Sequence, residues 1–231
     1  MKTAVAFLTT SPHDNTIKFA QEVNNCGFDT FIICDNYFPV IEKTPFSPEI
    51  IHIADEMCEK LGYMNCNISS SSTHIKKNPI AWDKFLLFFC ESAAEYDFVW
   101  VFEDDCVFAE GFMEKAQMCI NDLKNIEWDM FYFGGEPNKE TIYHSDKIVK
   151  TDGVYGAHSY LVNHTFYDKI LSADLVNGID ILYLNLHTSD KKFYLSREIL
   201  CNQDGESYSD IWGQTIIRDE VYKNAYKLYV K

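Results

Sequence analysis

Apolar positions along this chain follow two alternating rhythms. Residues 4–9 and 30–34 are short runs rich in Val, Ile and Phe, the pattern of strands buried on both faces. Between them, residues 16–24 carry a helical spacing, preceded by the capping run Ser11-Pro-His-Asp-Asn15 and closed by Gly27. Strand, helix and strand at this spacing predict a right-handed βαβ unit on a parallel sheet. Residues 49–61 read as a further helix after a Pro-containing loop. Residues 78–94 read as another, opened by Asn78-Pro79, with Trp82, Phe85, Leu86, Phe89 and Ala93 on one face.

That helix feeds the stretch around which the chain is organised, Phe98-Val-Trp-Val-Phe-Glu-Asp-Asp-Cys-Val-Phe108. Five apolar residues fit a fully buried strand, and three carboxylates follow at once. A buried strand cannot hold three unpaired charges, so the chain must leave the sheet at Glu103. In open α/β sheets, that edge past the carboxyl ends of the strands is where ligands bind. Glu103, Asp104 and Asp105 there form an oxygen-rich group suited to Mg²⁺ or Mn²⁺. An acidic solvated turn fits the same pattern.

Residues 112–124 read as a helix and residues 129–133 as a buried strand ending at Gly134-Gly135. The second half is less regular. It predicts a loop with a short strand over 138–149, a strand over 157–162 and a helix over 165–175. A short helix over 178–187 has Asp180 in its first turn, where the helix dipole favours an acid. Short strands over 192–195 and 198–201 and a polar loop over 203–211 complete the pattern. No repeat or linker divides the chain, so a single domain is expected.

Composition narrows the class. The 231 residues allow one sizeable core, and 47% hydrophobic content with 17 Phe and 14 Tyr marks a globular chain. A net charge of −15 argues against nucleic acid and against anionic lipid as partners. No apolar run reaches the length of a membrane span, and the amino terminus reads as a strand rather than a leader. The eight cysteines show no CxxC pair and read as reduced core thiols, which with the other features predicts a cytoplasmic protein.

Four segments occur in a telling order: Val101-Phe-Glu-Asp-Asp-Cys-Val107, Trp128-Asp-Met-Phe-Tyr-Phe-Gly134, Tyr155-Gly-Ala-His-Ser-Tyr-Leu-Val162, and Gln203 with Ser209-Asp210-Ile211. Together, over about residues 80–211, they resemble the family 25 glycosyltransferases, which include lipooligosaccharide and collagen galactosyltransferases. Glu103-Asp104-Asp105 stands where such enzymes carry a DxD motif. The resemblance implies a GT-A fold: a single Rossmann-like, mostly parallel α/β sheet flanked by helices, with a smaller irregular acceptor-side half. The nucleotide-sugar half would end near residue 135. The implied activity is inverting, metal-dependent transfer of a hexose, galactose or glucose, to a hydroxyl of a glycan or protein acceptor. The implied donor is a nucleotide sugar, UDP-linked, and the implied cofactor is Mn²⁺ or Mg²⁺. The first half departs from the family, which opens on a strand ending Asn-Leu-Asp with an Arg soon after. Here the strand reads Phe7-Leu-Thr-Thr-Ser11, and Arg197 and Arg218 are the only arginines.

The resemblance also assigns roles. Asp105 corresponds to the last acid of the motif and is the direct metal ligand, with Asp104 beside it. Glu103 or Asp104 would contact the ribose or the metal's waters. Thr9, Asp35 and Lys84 are candidates for holding the nucleotide sugar. A turn cap fits Asp35 equally well, and a solvated face fits Lys84, as it does Lys76 and Lys77. Inversion needs a base on the acceptor side. Asp180 is the first candidate and Glu136 the second, while a helix-start acid is the plainer reading of Asp180. His158 is a metal ligand, a polar wall or a satisfied core histidine. Gln203, Ser209 and Asp210 are expected to line the site. Two rival classes are a nucleotidyltransferase, which would carry a Gly-rich basic loop after the first strand, and a non-catalytic carbohydrate-binding protein on a decayed transferase fold.

Overall fold

The computed structural model describes residues 2–9, 14–34, 49–52, 95–103, 105–173, 179–186, 192–203, 206–209, 214–217 and 219–230. Its centre is the apolar run singled out above. Strand β4 (Phe98–Glu103) is buried from Phe98 through Phe102. It pairs in parallel with β1 (Thr3–Thr9), which pairs in parallel with β2 (Asp29–Cys34), and β2 with β3 (Glu49–His52). Helix α1 (Asp14–Asn25) connects β1 to β2, as the βαβ reading predicts. Residues 49–61 were expected to be helical. Their first four instead extend the sheet, because Ile50 and Ile51 are β-branched and continue the register of Ile32 and Ile33. Residues 53–61 and the predicted helix over 78–94 lie outside the described residues.

Beyond β4 the sheet becomes mixed. After the short β5 (Cys106–Phe108) and α2 (Phe112–Leu123), β6 (Met130–Tyr132) enters, and then β7 (Glu136–Pro137), β8 (Ile142–Tyr143), β9 (Ile148–Thr151) and β10 (Val154–Tyr155). Strand β11 (Ser159–Asn163) lies between β4 and β6 and runs antiparallel to both. Strand β12 (Phe193–Ser196) runs parallel to β6 and antiparallel to β9. Among the described residues, the main sheet runs β3-β2-β1-β4-β11-β6-β12-β9-β8. The expected mostly parallel sheet is therefore parallel on the β3–β4 side and mixed on the other. Strand β11 comes from the second half of the chain but sits among strands of the first.

The alternation of side chains along β4 divides the core in two. Phe98, Trp100 and Phe102 point to one face and pack with Phe112, Phe131 and Phe133. Trp100 stacks on Phe133 with ring centroids 4.8 Å apart, and Phe102 stacks on Phe7 at 5.3 Å. Val99 and Val101 point to the other face, into a layer with Tyr132, Tyr160, Phe166 and Tyr183. That layer includes residues of α3 (His164–Leu171) and α4 (Ile179–Leu186), and Tyr226 from α5 (Asp219–Tyr229). Asn163 caps α3, its side chain accepting from the Thr165 amide at 3.2 Å. The expected strand over 198–201 forms slightly later, as β13 (Cys201–Gln203), paired with β5. Part of the expected loop over 203–211 is β14 (Glu206–Ser209), which pairs with β15 (Gln214–Ile217). Among the described residues, no helix is long and apolar enough to cross a membrane.

Candidate functional site

The carboxylates emerge where charge forces the chain out of the sheet. Glu103 is the last residue of β4 and half-buried, and Asp105 lies in the turn before β5. The backbone there is fixed from the neighbouring strand: the Glu103 amide donates to the His158 carbonyl at 2.8 Å. The chain then doubles back as β5, which needs a partner and finds it in β13, with Cys106 opposite Gln203. That pairing brings Gln203 to the acids. Its Nε2 donates to Asp105 Oδ2 at 3.0 Å and to Glu103 Oε2 at 3.3 Å. Its Oε1 accepts from the Tyr222 hydroxyl at 2.6 Å. Gln203 is buried, so its amide is oriented by Tyr222 on one side and by two carboxylates on the other.

His158 forms the wall behind this group. It is fully buried; its Nε2–H donates to the Cys201 carbonyl at 3.1 Å, and its ring stacks on Tyr222 with centroids 5.6 Å apart. Two glycines make this packing possible. A Cβ on Gly134 would overlap the Cys201 carbonyl oxygen, and one on Gly156 would stand 2.5 Å from the Tyr222 hydroxyl. Gly156 also has φ +83°, a conformation that L side chains rarely adopt.

The electrostatics beneath the acids are unusual. Burial pushes the Cys106 thiol well up, and neighbouring Cys201, Asp105 and Glu103 push it further. It keeps its proton and donates to the His158 carbonyl at 2.9 Å. Burial acts the same way on Cys201, but the neighbouring Cys106, His158 and Ser159 side chains outweigh it and lower the thiol. Burial opposes a charge on His158, yet its hydrogen bond to Cys201 and the nearby negative charge raise it. On the other face, Tyr183 donates to the Tyr160 hydroxyl at 3.1 Å. Burial raises both phenols and the charge of Glu103 adds to each, so the floor under Glu103 is neutral.

Glu103, Asp105, His158 and Gln203 are thus brought together. Thr9 closes β1 at the same sheet edge, where Leu8 pairs with Glu103. Asp35, Lys84, Asp104 and Asp210 lie outside the described residues, and Ser209 ends β14. Asp180 stands in the first turn of α4, where its Oδ1 accepts from the Ile181 amide at 2.9 Å. Glu136 is half-buried in β7, opposite Tyr155. Neither makes a hydrogen bond to Glu103 or Asp105 among the contacts of the described residues. Sequence reasoning missed Tyr222, Cys106 and Cys201. Cys106 follows the acids directly and could have been noticed; Tyr222 has no local signal.

The two carboxylates suit a divalent cation in one respect: a single amide nitrogen reaches both, so their oxygens converge. Among the described residues, no group of three or more His, Cys, Asp or Glu could hold a metal. Mg²⁺-type sites need only one or two carboxylates plus phosphate oxygens and water, which Glu103 and Asp105 can supply. A separate cleft of about 280 Å³ opens between α2 and the β12–β13 connection. Two of its cations are paired with acids, Lys115 3.1 Å from Glu198 and Arg197 3.9 Å from Asp146. No protein-family model matches the chain, and no curated protein matches it.

Proposed function

We propose that this chain is a metal-dependent glycosyltransferase of GT-A type, related to family 25, that moves a hexose from a UDP-sugar to a hydroxyl of a glycan or protein. One observation carries this reading: two carboxylates at the carboxyl end of the central strand converge on Gln203, a residue of the motif that closes the resemblance. Asp105 and Glu103, with Asp104 beside them, would hold the Mn²⁺ or Mg²⁺. The bound cation would neutralise charge developing on the departing diphosphate.

The chain's own residues do the rest. Gln203 spaces the two acids and fixes their orientation, and Tyr222 fixes Gln203. The neutral Tyr160–Tyr183 pair lies within electrostatic reach of Glu103 and offers no competing cation. Thr9, Asp35 and Lys84 are assigned to the nucleotide sugar, and Ser209 and Asp210 to the site's wall. Asp180 takes the proton of the acceptor hydroxyl, with Glu136 as the alternative base. The test is a screen of nucleotide sugars with Mn²⁺, following release of free nucleotide. Hydrolysis of one UDP-sugar that stops with EDTA is the expected result. Silence across the panel, with no Mn²⁺-dependent rise in melting temperature on adding UDP, would overturn the proposal.

A further inference from the structure

The pairing of β5 with β13 does more than deliver Gln203. Cys106 stands opposite Gln203 and Cys201 opposite Phe108, so the two cysteines occupy diagonal positions on one face of this ladder. The Cys106 thiol donates to the His158 carbonyl at 2.9 Å, and the His158 ring bonds the Cys201 carbonyl at 3.1 Å, so both cysteines are drawn against one residue. Both sulfurs are free, Cys201 fully buried and Cys106 half-buried. We propose that Cys106 and Cys201 are a redox-active pair, which a peroxide joins into a reversible disulfide crosslinking β5 to β13 beside the acidic turn.

The chemistry balances with a peroxide as the oxidant. The Cys201 sulfur, the more readily ionised of the two, attacks the O–O bond, becomes a sulfenic acid and releases one water. The Cys106 sulfur then attacks the Cys201 sulfur, forms the S–S bond and expels a second water. Two thiols and one hydrogen peroxide give one disulfide and two waters. Diagonal positions across an antiparallel pair lie about 7–8 Å apart at Cα, just past the usual disulfide span of about 4.4–6.8 Å. The strands must therefore shift to close the bond. Strained disulfides are the easily reduced ones, which suits a switch rather than a permanent staple. The pair depends on the two strands alone, whatever reaction the acids serve.

The test uses the whole folded protein. It is reduced, freed of reductant, exposed to hydrogen peroxide, alkylated and mapped by peptide mass spectrometry. A peptide linking Cys106 to Cys201 should form within the monomer, disappear with dithiothreitol, and be absent from Cys201→Ser. Should that variant fail to fold, Cys106→Ser provides the same control. The exposed Cys26 provides an internal comparison, since it should be oxidised without entering this crosslink. Recovery of both cysteines as separate alkylated or sulfinic peptides from folded, oxidised protein would overturn the proposal. So would a crosslink that forms only in denaturant.

Discussion

Replacing Gln203 with Leu removes a side chain that touches both acids and Tyr222. Three contacts go at once: donations at 3.0 and 3.3 Å to carboxylates, and an acceptance at 2.6 Å from a phenol. Hydrogen bonds to charged groups contribute about 1.5–3 kcal/mol each and neutral ones about 1 kcal/mol. Both acids are partly exposed, so water recovers part of the loss, and a net cost of about 3 kcal/mol is expected. For a chain of this size, that lowers the melting temperature by about 6–12 °C. Gln203→Glu loses the same donations and sets a third carboxylate against two others, so it should melt lower still without metal. Mn²⁺ at about 100 times its dissociation constant would return about 2.7 kcal/mol to any variant that binds it. Thermal scans with EDTA and with Mn²⁺ separate the cases: Gln203→Glu should recover with Mn²⁺ and Gln203→Leu much less. A Leu variant melting within about 1 °C of the parent would refute the bridging role, since even one lost charged bond exceeds that.

Other outcomes follow from the same arrangement. Asp105→Asn should abolish the Mn²⁺-dependent part of UDP binding in calorimetry, and affinity unchanged by either EDTA or the substitution would remove the metal assignment. Asp180→Asn should cut turnover by about 10²- to 10⁴-fold while sparing donor binding; a near-parental rate would return Asp180 to its helix-start role and make Glu136 the next target. Gly134→Ala sets a methyl against the Cys201 backbone, which cannot rotate away, and should cost at least the 1–3 kcal/mol or so of an overpacked core in urea unfolding. A cost below about 0.5 kcal/mol would mean that β13 is free to move.

The strands of the first half were legible because their residues are apolar on both faces, a pattern that few other structures need. Glu103 was legible as an exit from the sheet for the converse reason. The helix expected from Glu49 does not begin there, because Ile50-Ile51 serves a strand or a helix equally well over four residues and the neighbouring β2 decides. The insertion of β11 between β4 and β6 was not legible, since a buried strand carries no mark of its direction. Within the site, Gln203 was found through the resemblance. Tyr222 was not, because its role depends on where α5 packs and not on its sequence neighbours.

The contact between Gln203 and Glu103 spans 100 positions, and Tyr222 lies 19 positions beyond Gln203. During translation at about 5–20 residues per second, the acids leave the ribosome many seconds before their donor exists. Through that interval the central strand must hold its place beside β1 while the turn above it lacks the Gln203 amide. Closure of the turn is therefore a late event in the making of the protein, and competence to bind a cation there would report that residues 203 and 222 have both been added and folded.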